Sequence, residues 1–194
     1  DAITIVPQNP GGAWSPKKIM EVLDWVKTNY PCDTTRVYVL GMSLGGYGTM
    51  DVCATYPNRI AAGMALCGGA SVKDVSGLGR LPFWIIHGTA DRAVPIKQSK
   101  VVVEKLQSEG NDTRLRYDWW QGANHGTPAR VFYLKKTYEW LFSHSLLDPG
   151  RPVNEEIDID MGDTRRAYSD VNRNVPAPEL IDGPSVIKEE GNEY

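Results

Sequence analysis

With 194 residues, 41% hydrophobic and 23% charged side chains, the chain is long enough for one domain with a sizeable core. A net charge of -3 speaks against nucleic acid as the main partner, and no apolar run reaches the length of a bilayer span. Cys32, Cys53 and Cys67 lack C-x-x-C spacing, which disfavours a disulfide framework or zinc site; buried free thiols are the better reading, although one pair could bridge.

The chain opens at Asp1 rather than Met and without a signal-peptide pattern, so a processed, trimmed or cut start is expected. The β-branched run 3–7, closed by Pro7, predicts a strand. In residues 15–30, Ile19, Val22, Leu23, Val26 and Tyr30 recur at helical spacing behind an N-cap Ser15 and Pro16. A second strand is expected over 36–42 and a helix directly after it. The small apolar segment 61–69 reads as a buried strand, and 82–88, led by Pro82 and stopped by Gly88, as another.

Residues 96–110 form a helix facing inward through Ile96, Val103 and Leu106, and 114–120 a last strand. A final helix over 129–145 places Val131, Leu134, Tyr138 and Leu141 on one face. Apolar strands alternating with amphipathic helices imply an α/β fold: a mostly parallel sheet covered on both faces. Residues 1–147 are therefore expected to form one domain. From Asp148 to Tyr194 lie 12 of the 24 acidic and 5 of the 21 basic side chains, so this part stands at -7 and the preceding part at +4. Proline-punctuated and without apolar period, 148–194 reads as an extended or partly disordered acidic tail. The alternative is a segment that wraps its own domain or a partner through Ile157, Ile159, Tyr168 and Ile181.

Chemistry in such sheets gathers at the carboxyl ends of the strands. Gly41, Ser43 and Gly45 satisfy G-x-S-x-G between a strand and a helix, a sharp turn that lifts a serine hydroxyl above a helix N-terminus. A tight turn that merely needs glycine would satisfy the same spacing. An alcohol is a weak nucleophile and needs a base. Of three histidines, His144 reads as surface and His87 as structural, while His125 lies in a glycine-rich loop at the right edge. The base needs a carboxylate to fix its tautomer, and Asp91 follows the penultimate strand at that edge; Asp118, inside a strand, competes less well. Ser43, Asp91 and His125 thus stand in the chain order serine, acid, histidine.

These three segments together resemble the α/β-hydrolase superfamily over residues 3–145. Within it the chain resembles small esterases of the carboxylesterase/phospholipase and dienelactone-hydrolase type, and beyond these bacterial predicted peptidases and polysaccharide esterases such as feruloyl or acetylxylan esterases. The resemblance implies a serine hydrolase that cleaves carboxylic esters through an acyl-enzyme, with the Leu44 N–H as one oxyanion donor and no metal or organic cofactor. It also implies a supporting role for His87. Trp14, Trp84, Trp119 and Trp120 could line a pocket for a small or polysaccharide-linked ester, and an extracytoplasmic location is favoured.

Members of that superfamily carry a further strand, and an oxyanion loop after it, before the equivalent of residues 3–7. The chain is accordingly expected to be part of a larger polypeptide, or to have its sheet completed by an upstream segment or second chain. A peptidase of the prolyl-oligopeptidase type and a catalytically dead binding domain are the alternative readings.

Overall fold

The computed structural model describes residues 2–169 and 171. Four parallel strands, β1 (Tyr38–Met42), β2 (Ala62–Leu66), β3 (Phe83–Gly88) and β4 (Leu115–Trp120), lie side by side in chain order. The register pairs Gly41 with Ala65, Ala65 with Ile85, and Ile85 with Tyr117, so β1 and β2 end together and β3 and β4 run two residues further at the same end of the sheet.

Alternation along the strands creates two cores, one on each face. Phe83 and Ile85 point to the face covered by α1 (Pro16–Asn29), α2 (Leu44–Thr55) and α3 (Lys97–Ser108), where they meet Met50, Val103 and Leu106. Trp84 and Ile86 point to the opposite face, where they meet Trp140 and Leu141 of α4 (Lys135–Phe142). β2 and β3 are buried at every residue, as central parallel strands must be. The Ser15 hydroxyl accepts the Lys18 N–H at 3.3 Å, which caps α1 as its sequence predicts.

Three expectations are corrected. Residues 3–7 form no strand: Ile3 and Ile5 are exposed and Val6 is 87% exposed, because no strand lies beside them among the described residues. The final helix divides into a 3-10 turn (Pro128–Tyr133) and α4, separated by Leu134 in an extended conformation. That break lets Val131 and Leu134 both bury, while Tyr138 turns outward. His144 is buried rather than on the surface. Its ring lies edge-on to Trp140, and its Nε2 accepts the Asn154 N–H at 3.0 Å.

Asn154 belongs to a strap that follows Leu147 across the α4 face. The Arg151 guanidinium donates to the carbonyls of Pro57, Ile60 and Ala61, at 2.9 Å for the first and 3.1 Å for the last. Arg116 donates to the Ile157 carbonyl at 2.7 Å and pairs with Asp158. Ile159 and Ala167 bury fully in the second core, and Tyr168 stays exposed with its ring against Tyr133. Ile181 lies outside the described residues. Cys32, Cys53 and Cys67 are all free thiols.

Candidate active site

Ser43 occupies the one-residue turn between β1 and α2, at φ 57° and ψ -120°. This conformation is costly for a side chain, on the order of 1–3 kcal/mol, and persists only where the surroundings impose it. Here they do. The Ser43 N–H donates to Leu66 O at 2.9 Å, and its carbonyl accepts the Tyr47 N–H at 3.0 Å. A Cβ on Gly41 would lie 2.2 Å from Gly45 O, and one on Gly46 would lie 2.6 Å from Leu66 O. Gly41 and Gly46 therefore let α2 begin directly above the ends of β1 and β2, whereas a Cβ on Gly45 meets nothing. The Ser43 hydroxyl makes no capping bond, so it remains unspent above the helix N-terminus.

Asp91 stands on the loop after β3, its side chain fully buried. That loop is tied to the end of β4 by Thr89 N–H to Trp120 O and Ala90 N–H to Ala123 O, both 3.0 Å. The carboxylate accepts three bonds. Oδ1 accepts the N–H groups of Ala93 and Val94 at 2.9 Å each, and Oδ2 accepts His125 Nδ1 at 2.6 Å. Burial, the largest influence, raises the Asp91 pKa. The His125 ring, the two N–H groups and the Cys67 thiol outweigh it, so the carboxyl ionises below its usual 3.8.

His125 sits on the loop after β4, partly open to solvent. The bond from its Nδ1 leaves Nε2 as the nitrogen free to take a proton. Among the described residues no hydrogen bond joins Ser43 Oγ to that ring, and such contacts often tighten only when substrate binds. Ser43, Asp91 and His125 nonetheless stand on loops that follow β1, β3 and β4 at one end of the sheet.

Two further side chains join them. His87, fully buried at the end of β3, holds the acid loop: Nε2 lies 2.9 Å from Val94 O and 3.3 Å from Asp91 Oδ2, and Nδ1 lies 2.8 Å from Ser99 Oγ on α3. Burial dominates its ionisation and keeps it below the usual 6.5. Cys67 closes β2 with a positive φ of 47°, its N–H donating to Ile86 O at 2.9 Å and its thiol lying 3.8 Å from His125 O. The sequence marks Cys67 only as a buried thiol. Its position after a small-residue strand, at the same edge as Ser43, was the available signal.

Donor atoms of Cys67, His87 and Asp91 lie within 4.8 Å of one another, the spacing of a metal cluster. The chemistry of the set argues otherwise. Burial pushes the Cys67 thiol up to about 12, and His87 and Asp91 are already engaged by the loop they hold.

The aromatic pocket is corrected in part. Trp84 lies at the amino end of β3 inside the second core, with Nε1 donating to Asp118 at 2.6 Å and the Arg116 guanidinium 3.7 Å above its ring. Trp120 is buried in the same core. Both alternate onto the face away from α3, so neither can line a pocket. Asp118 is likewise spent on Trp84 and Arg116. Trp119 packs partly on the α3 side with its ring 5.1 Å from Tyr117. Trp14 lies across α2, its ring where a Cβ on Gly48 would be, and its buried indole Nε1 has no hydrogen-bond partner among the described residues.

A parallel sheet with helices on both faces, a strained serine at a strand-to-helix turn and a bonded Asp–His pair at the same edge define the α/β-hydrolase fold. Comparison with known proteins agrees on that fold. Residues 71–147 match the model of the prolyl oligopeptidase family. A bifunctional acetylxylan esterase/xylanase of Neocallimastix patriciarum is 36% identical over 105 residues, 51% of this chain and 16% of that protein. Acetylxylan esterase A of Emericella nidulans is 42% identical over 57 residues, 29% of this chain and 19% of that protein. The chain thus spans less than a fifth of the length of these two curated relatives. The crystal structure of a thermostable esterase superposes with a TM-score of 0.60 at 29% identity, over 66% of this chain and 36% of that one. The Pyrococcus horikoshii acylaminoacyl peptidase superposes at 0.53 and 15% identity, over 77% and 29% of the two chains, and shares the fold. Among the described residues no helix is long and apolar enough to cross a membrane.

Proposed function

We propose that the protein hydrolyses carboxylic esters through an acyl-enzyme, and that its substrates are acetyl groups carried on a polysaccharide. The 2.6 Å bond from His125 to Asp91, at the same sheet end as a serine whose hydroxyl makes no capping bond, is the observation that carries this reading. Ser43 Oγ attacks the acyl carbon as its proton passes to His125 Nε2. Asp91 holds Nδ1–H and stabilises the imidazolium. The Leu44 N–H, at the open start of α2, donates to the tetrahedral oxyanion, worth roughly 3 kcal/mol for one such donor. Collapse breaks the ester C–O bond, and the alkoxide leaves with the proton from His125. Water then gives a proton to His125, its oxygen attacks the acyl carbon, and the carboxylic acid departs as Ser43 regains its proton. The substrate class follows from the acetylxylan esterases among the relatives.

A fluorophosphonate probe followed by intact mass tests the nucleophile. Labelling should occur on the protein and vanish in Ser43→Ala, with acetate released from acetylated xylan only by the former. An unlabelled folded protein, or equal acetate release by both, overturns the proposal. A peptidase reading draws on the prolyl oligopeptidase match over residues 71–147. Cleavage of a p-nitrophenyl ester without cleavage of the matching anilide sets it aside.

A further inference from the structure

Asp91 and His125 meet beside a residue that the hydrolytic scheme leaves unused. Cys67 follows Leu66, whose carbonyl receives the Ser43 N–H at 2.9 Å, and Cys67 itself is tied to β3 through Ile86 O at 2.9 Å. Its side chain points into the space between the acid and histidine loops. There Sγ lies 3.8 Å from His125 O and clusters within 4.8 Å with the carboxylate of Asp91 and the ring of His87. The side chain is held in this place by a backbone at φ 47°, a conformation that a glycine would adopt without strain.

We propose that Cys67 is a positioning residue for the acid–base pair: its S–H donates to the Asp91 carboxylate while its sulfur packs against the His125 main chain. The inference rests on the reading of Asp91 as acid and His125 as base. A single thiol proton serves one acceptor at a time, and the charged carboxylate is the stronger of the two. A thiol suits the place because burial keeps it protonated, so it stays a donor throughout the working range and never sets a second negative charge beside Asp91. The groups that face it are Asp91 and His87 from β3 and its loop, and His125 from the loop after β4.

A donor on Asp91 lowers the basicity of the carboxylate. Removing that donor should strengthen the bond from His125 Nδ1–H and favour the protonated state of the pair. Two readouts test this in Cys67→Ala, Cys67→Ser and Cys67→Gly. Gly removes the donor and also relieves the positive φ, so it remains informative if Ala fails to fold. Ser keeps a donor.

In both donorless variants the Nδ1 proton of His125, assignable because the chain has only three histidines, should resonate further downfield in the proton NMR spectrum. The acid limb of kcat/KM should move up by on the order of half a pH unit, a ~threefold loss of rate below the limb, while KM stays level. Ser should leave both readouts at or on the other side of their native values. If Ser behaves as Ala and Gly do, or none of the three moves the Nδ1 proton, the proposal is overturned, since packing alone would not separate them. The NMR arm needs no turnover. A native protein that cleaves no ester refutes the hydrolytic reading and leaves the Cys67 contact to be decided by the Nδ1 signal.

Discussion

The carboxyl edge of the sheet and the strap across its α4 face are held by opposite means. At the edge, short loops are bonded backbone to backbone, and buried side chains such as Asp91 and His87 collect donors and acceptors from several of them. Along the strap, one long side chain serves many carbonyls: Arg151 alone meets Pro57, Ile60 and Ala61. The edge should therefore respond to substitution in its chemistry and the strap in its stability.

The comparison is sharpest where the two effects separate. Asp91→Asn favours the wrong tautomer of His125, so kcat per folded molecule should fall by about 10⁴-fold, far beyond what its loss of urea stability would account for. A variant that loses stability and keeps its rate would reverse the assignment. Arg151→Met should do the opposite. It leaves buried carbonyls unpaired and should cost about 3 kcal/mol in urea unfolding, with kcat per folded molecule unchanged.

Acid exposes both regions together. His87 at the edge and His144 beside the strap are each held by burial below their usual 6.5. Below that value the unfolded chain binds protons that the native state refuses. Their stabilisation is complete above pH 6.5 and is lost as pH falls through the folded values, at up to about 1.4 kcal/mol per pH unit for each histidine. Asp91, depressed from 3.8, adds its own loss further down. Urea midpoints from pH 7 to 5 should slope accordingly, and His144→Gln should flatten the slope without touching the acid limb of catalysis. The smallest effect belongs to Ile159, whose change to Val should cost about 1 kcal/mol by urea unfolding. No loss there would mean that the strap's apolar anchor adds nothing.

Much of the edge was legible before any coordinates. Ser15 and Pro16 start α1 where capping chemistry requires, and the runs ending at Met42, Gly88 and Trp120 became β1, β3 and β4 because buried parallel strands are apolar on both faces. Ser43, Asp91 and His125 could be picked out because each follows such a strand, and a parallel sheet brings those ends together whatever the loops contain.

Other features were hidden because they depend on partners far along the chain. His144 looked exposed until Asn154 and the strap covered it. Trp84 and Trp120 looked like pocket residues, and only the phase of the pleat put them in the core. Residues 3–7 have the composition of a strand, yet a strand exists only beside another. The sequence by itself determined most of the elements and the chain order of the candidate site residues, since periodicity and turn chemistry act over a few positions. Only the tertiary structure decided that Cys67 meets His125, 58 residues away, and that Arg151 anchors carbonyls 90 to 94 residues before it. Such contacts follow from which strand ends come together and which faces they share, and no local pattern encodes them.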